Sequence, residues 1–181
     1  KGMYGIIATW RMALEGISKA DSMLKNNESA ADSIEEAIKA VEDFEYYKSV
    51  GYGGLPNEEM EVELDAAFMD GDTLEFGCVG GVKDFANPVS IARSLMHYDA
   101  NNFLVGQGAE KYASRHGFER KTMLTDRAKI HYHNRTKEIT NTELKPYSGH
   151  DTVGMVCLDT AGHMTSATST SGLFMKHPGR L

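Results

Sequence analysis

The stretch Gly149-His150-Asp151-Thr152-Val153-Gly154-Met155-Val156 joins a polar tract to a short apolar run that is typical of a β-strand. If the peptide bond between Asp151 and Thr152 is cut, Thr152 becomes an N-terminal residue with a hydroxyl nucleophile and a free α-amine. This amine, with a pKa of roughly 7.7–8.0, supplies the general base that an internal threonine lacks. An Asp-Thr pair before a strand is ordinary when taken alone, so the interpretation depends on the rest of the chain.

The residues after Thr152 predict a β-hairpin. Residues 153–158 and 163–169 are strand-like, and Asp159-Thr160-Ala161-Gly162 between them is typical of a turn. The return strand ends in the hydroxyl-rich stretch Thr168-Ser169-Thr170-Ser171-Gly172. We expect strand pairing to bring these hydroxyls beside Thr152, although an exposed strand would have a similar composition.

Upstream of this hairpin, the sequence predicts alternating strands and helices. Apolar and turn-forming residues indicate a strand over 4–9, a helix from Ser29 to Phe44, a hairpin through Asp70-Gly71, a helix from Pro88, a strand over 102–106 and a helix over 108–116. Ser29 with Asp32 three residues later resembles a capping box. The alternation favours a mixed α+β fold.

Residues 119–148 show no helical or strand period, and we expect a mobile connection there. His131 and His133 would share one face of a strand. Neither cysteines nor a third clustered ligand accompany them, so a metal site is not expected, and neither is a cofactor.

Composition bounds the function. The chain has 181 residues, of which 41% are hydrophobic, and a formal charge of -7, which favours one globular domain and argues against nucleic acid as a partner. Apolar runs are too short to span a bilayer, so no membrane partner is expected. The separated cysteines Cys78 and Cys157 suggest buried thiols, which favours the cytoplasm; a periplasmic or lysosomal location stays open as an alternative.

Two further features precede the central region of the chain. Ser49-Val50-Gly51-Tyr52-Gly53-Gly54-Leu55-Pro56 contains three glycines and one proline, which indicates either an ordinary loop or a backbone that approaches another group closely. Trp10, the only tryptophan, ends the first predicted strand. It is expected either in the core or as a rigid ring that lines a pocket.

These residues together resemble the glycosylasparaginase (aspartylglucosaminidase) family of N-terminal nucleophile hydrolases. The resemblance covers most of the chain and is weakest over residues 119–148. It rests on six stretches: 149–156, 168–172, Gly179-Arg180, Thr9-Trp10-Arg11, 49–56, and 64–71 with its Leu-Asp-Ala and Met-Asp-Gly segments. The Gly-Thr-Val-Gly and His-Gly-Gly patterns of the related plant-type asparaginases and isoaspartyl peptidases do not occur here.

The resemblance implies a four-layer αββα sandwich, made as a precursor that cleaves itself before Thr152. By position, Thr152 corresponds to the nucleophile, Asp151 to the residue that assists cleavage, and Thr170 to the threonine that hydrogen-bonds the nucleophile. Arg180 corresponds to the arginine that binds the substrate α-carboxylate, and both Trp10 and Ser49 correspond to pocket residues.

The resemblance further implies that residues 1–151 belong to an α-subunit part and residues 152–181 to the start of a β-subunit part. Family members continue beyond the arginine with an aspartate for the substrate α-amine and a Thr-Gly oxyanion hole. We therefore expect the sandwich to be incomplete at Leu181. The remaining β-subunit segment and a second αβ unit in a dimer are the expected protein partners.

The implied reaction is hydrolysis of the side-chain amide of N4-substituted asparagine, such as N4-(β-N-acetylglucosaminyl)-L-asparagine, as the small-molecule substrate. An isoaspartyl peptidase or L-asparaginase on the same scaffold is the nearest alternative. An inactive truncated form, or a non-enzymatic domain that binds a small amino acid or a partner chain, is another.

Overall fold

The computed structural model describes residues 2–139 and 152–181. Six strands and five α-helices occur there, and they confirm a mixed α+β fold. They are β1 Gly5–Ala8, α1 Leu14–Lys25, α2 Ala30–Glu42, β2 Leu64–Asp70, β3 Phe76–Val82, α3 Pro88–Leu95, β4 Phe103–Val105, α4 Gly106–Arg115, α5 Asp126–Glu138, β5 Val153–Leu158 and β6 Met164–Thr170.

The described strands form one six-stranded sheet in the order β1-β5-β6-β2-β3-β4. All neighbouring pairs are antiparallel except β3 and β4, which are parallel. Strands β5 and β6, which come last in the chain, therefore lie between β1 and β2, which come early.

Helices α2 and α3 cover one face of the sheet. Helix α2 packs on β5 and β6, and α3 packs on β2 and β3, while α1 packs beside α2. Alternate residues of β5, namely Val153, Met155 and Cys157, point into this layer and are buried. They meet the apolar stripe of α2, which includes Ile34 and Ile38. We call this side of the sheet the helix-covered face.

The opposite face of the sheet, which we call the open face, exposes apolar side chains. Ile7 is 78% exposed and Val156, its register partner in β5, is 44% exposed. Met69 and its partner Phe76, on β2 and β3, are also exposed. A second sheet on this face would complete four layers, which remains a prediction.

Most predicted elements are confirmed. The α2 cap forms as expected: the Ser29 hydroxyl accepts a hydrogen bond from the Asp32 backbone N–H at 3.0 Å. The turn between β5 and β6 is organised by Asp159, whose carboxylate accepts the N–H groups of Ala161 and His163. The same carboxylate accepts the Ala30 N–H at the start of α2 and so joins the hairpin to the helix layer.

The prediction of irregular structure over 119–148 was wrong for Asp126–Glu138, which forms α5. This helix is capped by Thr125, whose hydroxyl accepts the Ala128 N–H at 3.2 Å, and Ala128 is its one buried residue. A helix that is polar almost all round shows no apolar period, so pattern analysis misses it. Helix α1 was not predicted at all.

Among residues 2–139 and 152–181, no helix combines the length and apolar character needed to cross a bilayer.

Candidate active site

Thr152 stands immediately before β5, the second strand from one edge of the described sheet. Val153 pairs with Ser169 of β6, and Met155 pairs with Ala8 of β1. Continuing the β5–β6 register by one residue places Thr152 opposite Thr170. Because side chains alternate along a strand and Val153 is buried in the helix-covered face, both threonines belong to the open face.

The backbone around Thr152 is held by Thr9, just after β1. The Thr9 hydroxyl donates to the Thr152 carbonyl and accepts the Gly154 N–H, both at 2.9 Å. The Thr9 N–H donates to the Gly154 carbonyl at 2.9 Å. Thr9 thus uses side chain and backbone to fix the three consecutive peptide groups that follow Thr152. Its position in the Thr9-Trp10-Arg11 stretch pointed to the site, but this role was not predicted.

Thr170 connects the end of β6 to Ser49. Its hydroxyl donates to the Ser49 carbonyl at 3.3 Å and accepts the Gly172 N–H at 3.1 Å. The Ser171 N–H donates to the same Ser49 carbonyl at 2.6 Å. The structure therefore places Ser49 beside Thr170.

The glycines after Ser49 are required by close backbone approach. A Cβ at Gly51 would lie 2.3 Å from the Glu42 carbonyl oxygen, and one at Gly53 would lie 2.2 Å from that of Glu45. Both glycines also have positive φ angles, 58° and 82°. Of the two interpretations of this loop, the structure supports close packing against the end of α2.

Trp10 does not lie in the core. Its side chain is 57% exposed, and it borders a cavity of about 230 Å³ that Ser49, Tyr46 and Tyr47 also line. Its backbone has φ 64° and ψ 151°, a conformation that bulky residues rarely adopt. The strained backbone turns the chain at the end of β1 and presents the ring at the mouth of this cavity.

Arg180 lies in a turn after β6, and its side chain is exposed. It is close enough to influence Asp65 electrostatically; Asp65 pairs with Thr170 in the β2–β6 register. Burial raises the pKa of Asp65, while the Gly81 N–H, Lys176 and Arg180 oppose that rise. Arg180 thus lies near β2, the strand next to β6.

A buried carboxyl, Glu42, lies beneath the Thr170 end of β6. It accepts the Ser169 hydroxyl at 2.7 Å and the Val89 N–H at 3.0 Å on one oxygen, and the Asn87 amide at 3.2 Å on the other. Burial raises its pKa to about 7, although these three donors act in the opposite direction. Glu42 was not among the predicted site residues; its spacing of four residues from Ile38, on the buried face of α2, was the available signal.

Four predicted residues, Thr152, Thr170, Ser49 and Trp10, are therefore gathered at one end of β1, β5 and β6, and Arg180 lies one strand further. Asp151 lies outside the described residues. His131 and His133 stand on α5 rather than on a strand. Within the described part of the chain, no group of three or more metal-ligating side chains occurs.

The chain is similar to several known proteins. A family model described as asparaginase matches residues 7–181. The N(4)-(beta-N-acetylglucosaminyl)-L-asparaginase of Elizabethkingia miricola is 33% identical over 97% of this chain and 52% of its own length. The isoaspartyl peptidase/L-asparaginase of Rattus norvegicus is 36% identical over 92% of this chain and 52% of its own length. The isoaspartyl peptidase of Escherichia coli is 32% identical over 91% of this chain and 54% of its own length.

The fold places Thr152 immediately before β5, opposite Thr170. The match over residues 7–181 shows that the chain belongs to the asparaginase family, whose relatives here include glycosylasparaginases. The chain spans about half the length of the curated relatives it matches.

Proposed function

We propose that these residues form part of an amidohydrolase that cleaves itself before Thr152 and then hydrolyses the side-chain amide of N4-substituted asparagine. The observation that carries the proposal is the position of Thr152 at the head of β5, opposite Thr170 and fixed by Thr9. Experiments require the full-length polypeptide, meaning these residues within a chain of the relatives' length.

Self-cleavage is proposed to begin with attack of the Thr152 hydroxyl on the Asp151 carbonyl, which moves the acyl group from nitrogen to oxygen. A planar peptide resists this shift, so the precursor has to favour it through its local geometry. The Asp151 carboxylate assists proton transfer. Water then hydrolyses the ester and frees the Thr152 α-amine.

In turnover, the Thr152 amine accepts the proton of the Thr152 hydroxyl, which attacks the substrate side-chain carbonyl. The leaving amine departs with a proton, and water hydrolyses the β-aspartyl ester to regenerate Thr152. Thr170, placed opposite by strand pairing, is suited to hydrogen-bond the nucleophile. This arrangement needs no metal or organic cofactor for either step.

Substrate recognition is assigned to Arg180, Trp10 and Ser49. The planar guanidinium of Arg180 can bind both oxygens of a free α-carboxylate. Trp10 and Ser49 border the cavity of about 230 Å³ near the Thr170 end of the sheet. We assign them to the wall of the substrate pocket.

The open face supports a four-layer αββα sandwich in the full-length polypeptide. Its exposed apolar side chains, including Ile7 and Val156, are the kind of surface that a second sheet buries. Packing there would also enclose Thr152 and Thr170, which belong to the same face.

Self-cleavage is tested by intact-mass spectrometry of the purified full-length polypeptide, incubated without protease. We expect two fragments that meet between Asp151 and Thr152. Asp151→Asn should slow the cut, because the amide does not assist proton transfer. A single unchanged mass together with hydrolysis of a glycosylasparagine would show that the nucleophile is not an N-terminal threonine.

A second candidate, isoaspartyl peptidase or L-asparaginase activity, is favoured by the names of several relatives at comparable identity. A panel of N4-(β-N-acetylglucosaminyl)-L-asparagine, β-aspartyl dipeptides and asparagine separates the two by kcat/KM. We expect the glycosylasparagine to give the highest value. A polypeptide that never cuts and hydrolyses none of the three is instead a binding domain.

A further inference from the structure

A buried ion pair lies under the turn that carries Arg180. The Lys176 ammonium is 2.8 Å from a Glu63 carboxylate oxygen, and the two side chains are only 1% and 5% exposed. Lysine and glutamate are rarely buried to this extent, because removing two charges from water costs more than their attraction usually returns. An ion pair placed here therefore calls for an explanation other than stability.

Both members of the pair bind the backbone on either side of Arg180. The Gly179 N–H donates to the Glu63 carboxylate, at 3.0 Å from each oxygen. The Lys176 ammonium donates to the Arg180 carbonyl oxygen. One member of the ion pair thus holds the chain before Arg180, and the other holds the chain after it.

The surrounding turn leaves this segment little freedom. The Arg180 N–H donates to the His177 carbonyl at 3.2 Å, and Gly179 has a φ angle of 77°. The Lys176 carbonyl accepts the Glu58 N–H at 3.0 Å, which attaches the turn to the segment before β2. The guanidinium of Arg180 is left on the surface while its backbone is fixed from below.

Charge explains why a carboxylate serves in this position. Burial raises the pKa of Glu63, but the Lys176 ammonium and the Gly179 N–H outweigh this and leave it below its ordinary value. The carboxylate therefore stays ionised at neutral pH and can accept from both groups. An ionised acceptor gives shorter and stronger hydrogen bonds than a neutral one.

We propose that Glu63 and Lys176 are positioning residues for Arg180, which fix its backbone so that the guanidinium meets the substrate α-carboxylate. This inference rests on the proposed function, in which Arg180 binds that carboxylate. It predicts that loss of the pair weakens substrate binding while leaving the chemistry at Thr152 intact.

The test replaces both charges at once in the full-length polypeptide, as Glu63→Met with Lys176→Leu. Replacing both members of a buried ion pair with apolar residues often leaves folding stability unchanged or raises it. Removing only one member leaves the other as an unpaired buried charge, which is strongly destabilising. The fold is checked by thermal unfolding. We expect self-cleavage at the parent rate, kcat within about threefold, and KM raised by roughly tenfold to a hundredfold, because small displacements of a positioning group are costly.

A second readout separates positioning from general damage. Parent and double variant are compared on a glycosylasparagine and on its α-methyl ester, which lacks the carboxylate charge. The parent should prefer the free acid, and the double variant should lose most of that preference. A purely structural role would lower activity on both substrates by the same factor.

A matched control is the Arg93–Glu35 ion pair between α2 and α3, on the helix-covered face. Glu35→Met with Arg93→Leu should leave KM and the preference for the free acid unchanged. If the Glu63→Met/Lys176→Leu protein does not fold, Glu63→Gln alone, which keeps the shape of the side chain, decides by the same two readouts.

The outcomes are distinct. A folded variant that retains the parent KM and the parent preference for the free acid overturns the positioning role, while the proposed function stands. A parent that neither cuts itself nor hydrolyses any amide of the panel overturns the proposed function, and this inference with it.

Discussion

The two segments that carry the candidate catalytic and substrate-binding residues are held in different ways. The start of β5, which carries Thr152, is fixed by strand pairing on both sides and by the exposed Thr9 hydroxyl. The turn that carries Arg180 is fixed by the buried side chains of Glu63 and Lys176. The first segment is held mainly by backbone pairing, with one uncharged hydroxyl, whereas the second depends also on two buried charged side chains.

The difference has a consequence for mutational sensitivity. A ladder of backbone hydrogen bonds survives most single side-chain replacements, since no single side chain supplies it. The Arg180 turn depends on two side chains, so we expect function there to be lost more easily than fold. Variants of the two segments should therefore differ in which quantity they change: self-cleavage and kcat, KM, or the free energy of unfolding.

Thr152→Ala should have the largest effect. It removes the one hydroxyl that serves both reactions, so self-cleavage should disappear and kcat should fall on the order of 10⁶-fold. Pairing of β5 should persist, because it uses backbone groups. Intact mass and amide hydrolysis measure the two losses. Thr152→Ser, which keeps a hydroxyl, is the matched control and should still cut; parent-level hydrolysis by Thr152→Ala would exclude Thr152 as the nucleophile.

Arg180→Ala should spare self-cleavage and impair recognition. Loss of a charged, bidentate contact in an enclosed site costs on the order of 2–5 kcal/mol, which should appear as a raised KM for substrates with a free α-carboxylate. Steady-state kinetics on the panel measure it. Arg180→Lys keeps the charge without the planar guanidinium, so its KM should lie between that of the parent and that of Arg180→Ala. An unchanged KM in the alanine variant would remove Arg180 from the site.

Glu42 should make stability depend on pH. With its pKa raised from 4.5 to about 7, the native protein holds a proton that the unfolded chain releases between these values. The contribution of Glu42 to the free energy of unfolding should therefore be greatest below about pH 4.5 and be lost as pH rises from there through 7, by about 3 kcal/mol in total.

Urea unfolding of the parent and of Glu42→Gln across this range tests the assignment. Glutamine does not titrate, so the variant should lose this part of the pH dependence. Glu28→Gln, the same replacement at an exposed glutamate before α2, is the matched control. Identical pH dependence in the parent and in Glu42→Gln would place the titrating group elsewhere.

Thr9→Val should have the smallest effect. It removes two hydrogen bonds to the backbone around Thr152, at an exposed position where water can replace them. We expect a decrease of about 1 kcal/mol in the free energy of unfolding, measured by urea titration. Thr9→Ser retains the hydroxyl and should match the parent. If Thr9→Ser lowered the free energy of unfolding as much as Thr9→Val, the stabilising group would be the threonine methyl group and not the hydroxyl.

Much of the fold could be predicted from local patterns. The alternation of Val153, Met155 and Cys157 and the turn residues at 159–162 predicted the β5–β6 hairpin, because strand and turn preferences act over a few residues. Helix α5 was not predicted, because it is stabilised by an N-cap and ion pairs and has no apolar stripe. The order of strands in the sheet depends on long-range pairing that no local pattern records.

The candidate site likewise contains residues that the sequence predicted and residues that it did not. Thr152, Thr170, Ser49 and Trp10 were predicted as site residues from the stretches that carry the resemblance, and the structure places them at one end of β1, β5 and β6. Thr9, Glu42, Glu63 and Lys176 were not found, because each acts through partners distant in sequence. A buried charge in particular looks like any surface charge until its partner is located, as the pair of Glu63 and Lys176 illustrates.

The strand order has a final consequence for a polypeptide that is cut before Thr152. Strands β5 and β6 would then belong to the second fragment, yet they lie between β1 and β2 of the first. The two fragments would be interleaved within one sheet, so they could separate only by breaking pairing along two strand borders at once. Such a cut would sever the chain without dividing the protein, and dilution alone should not release either piece.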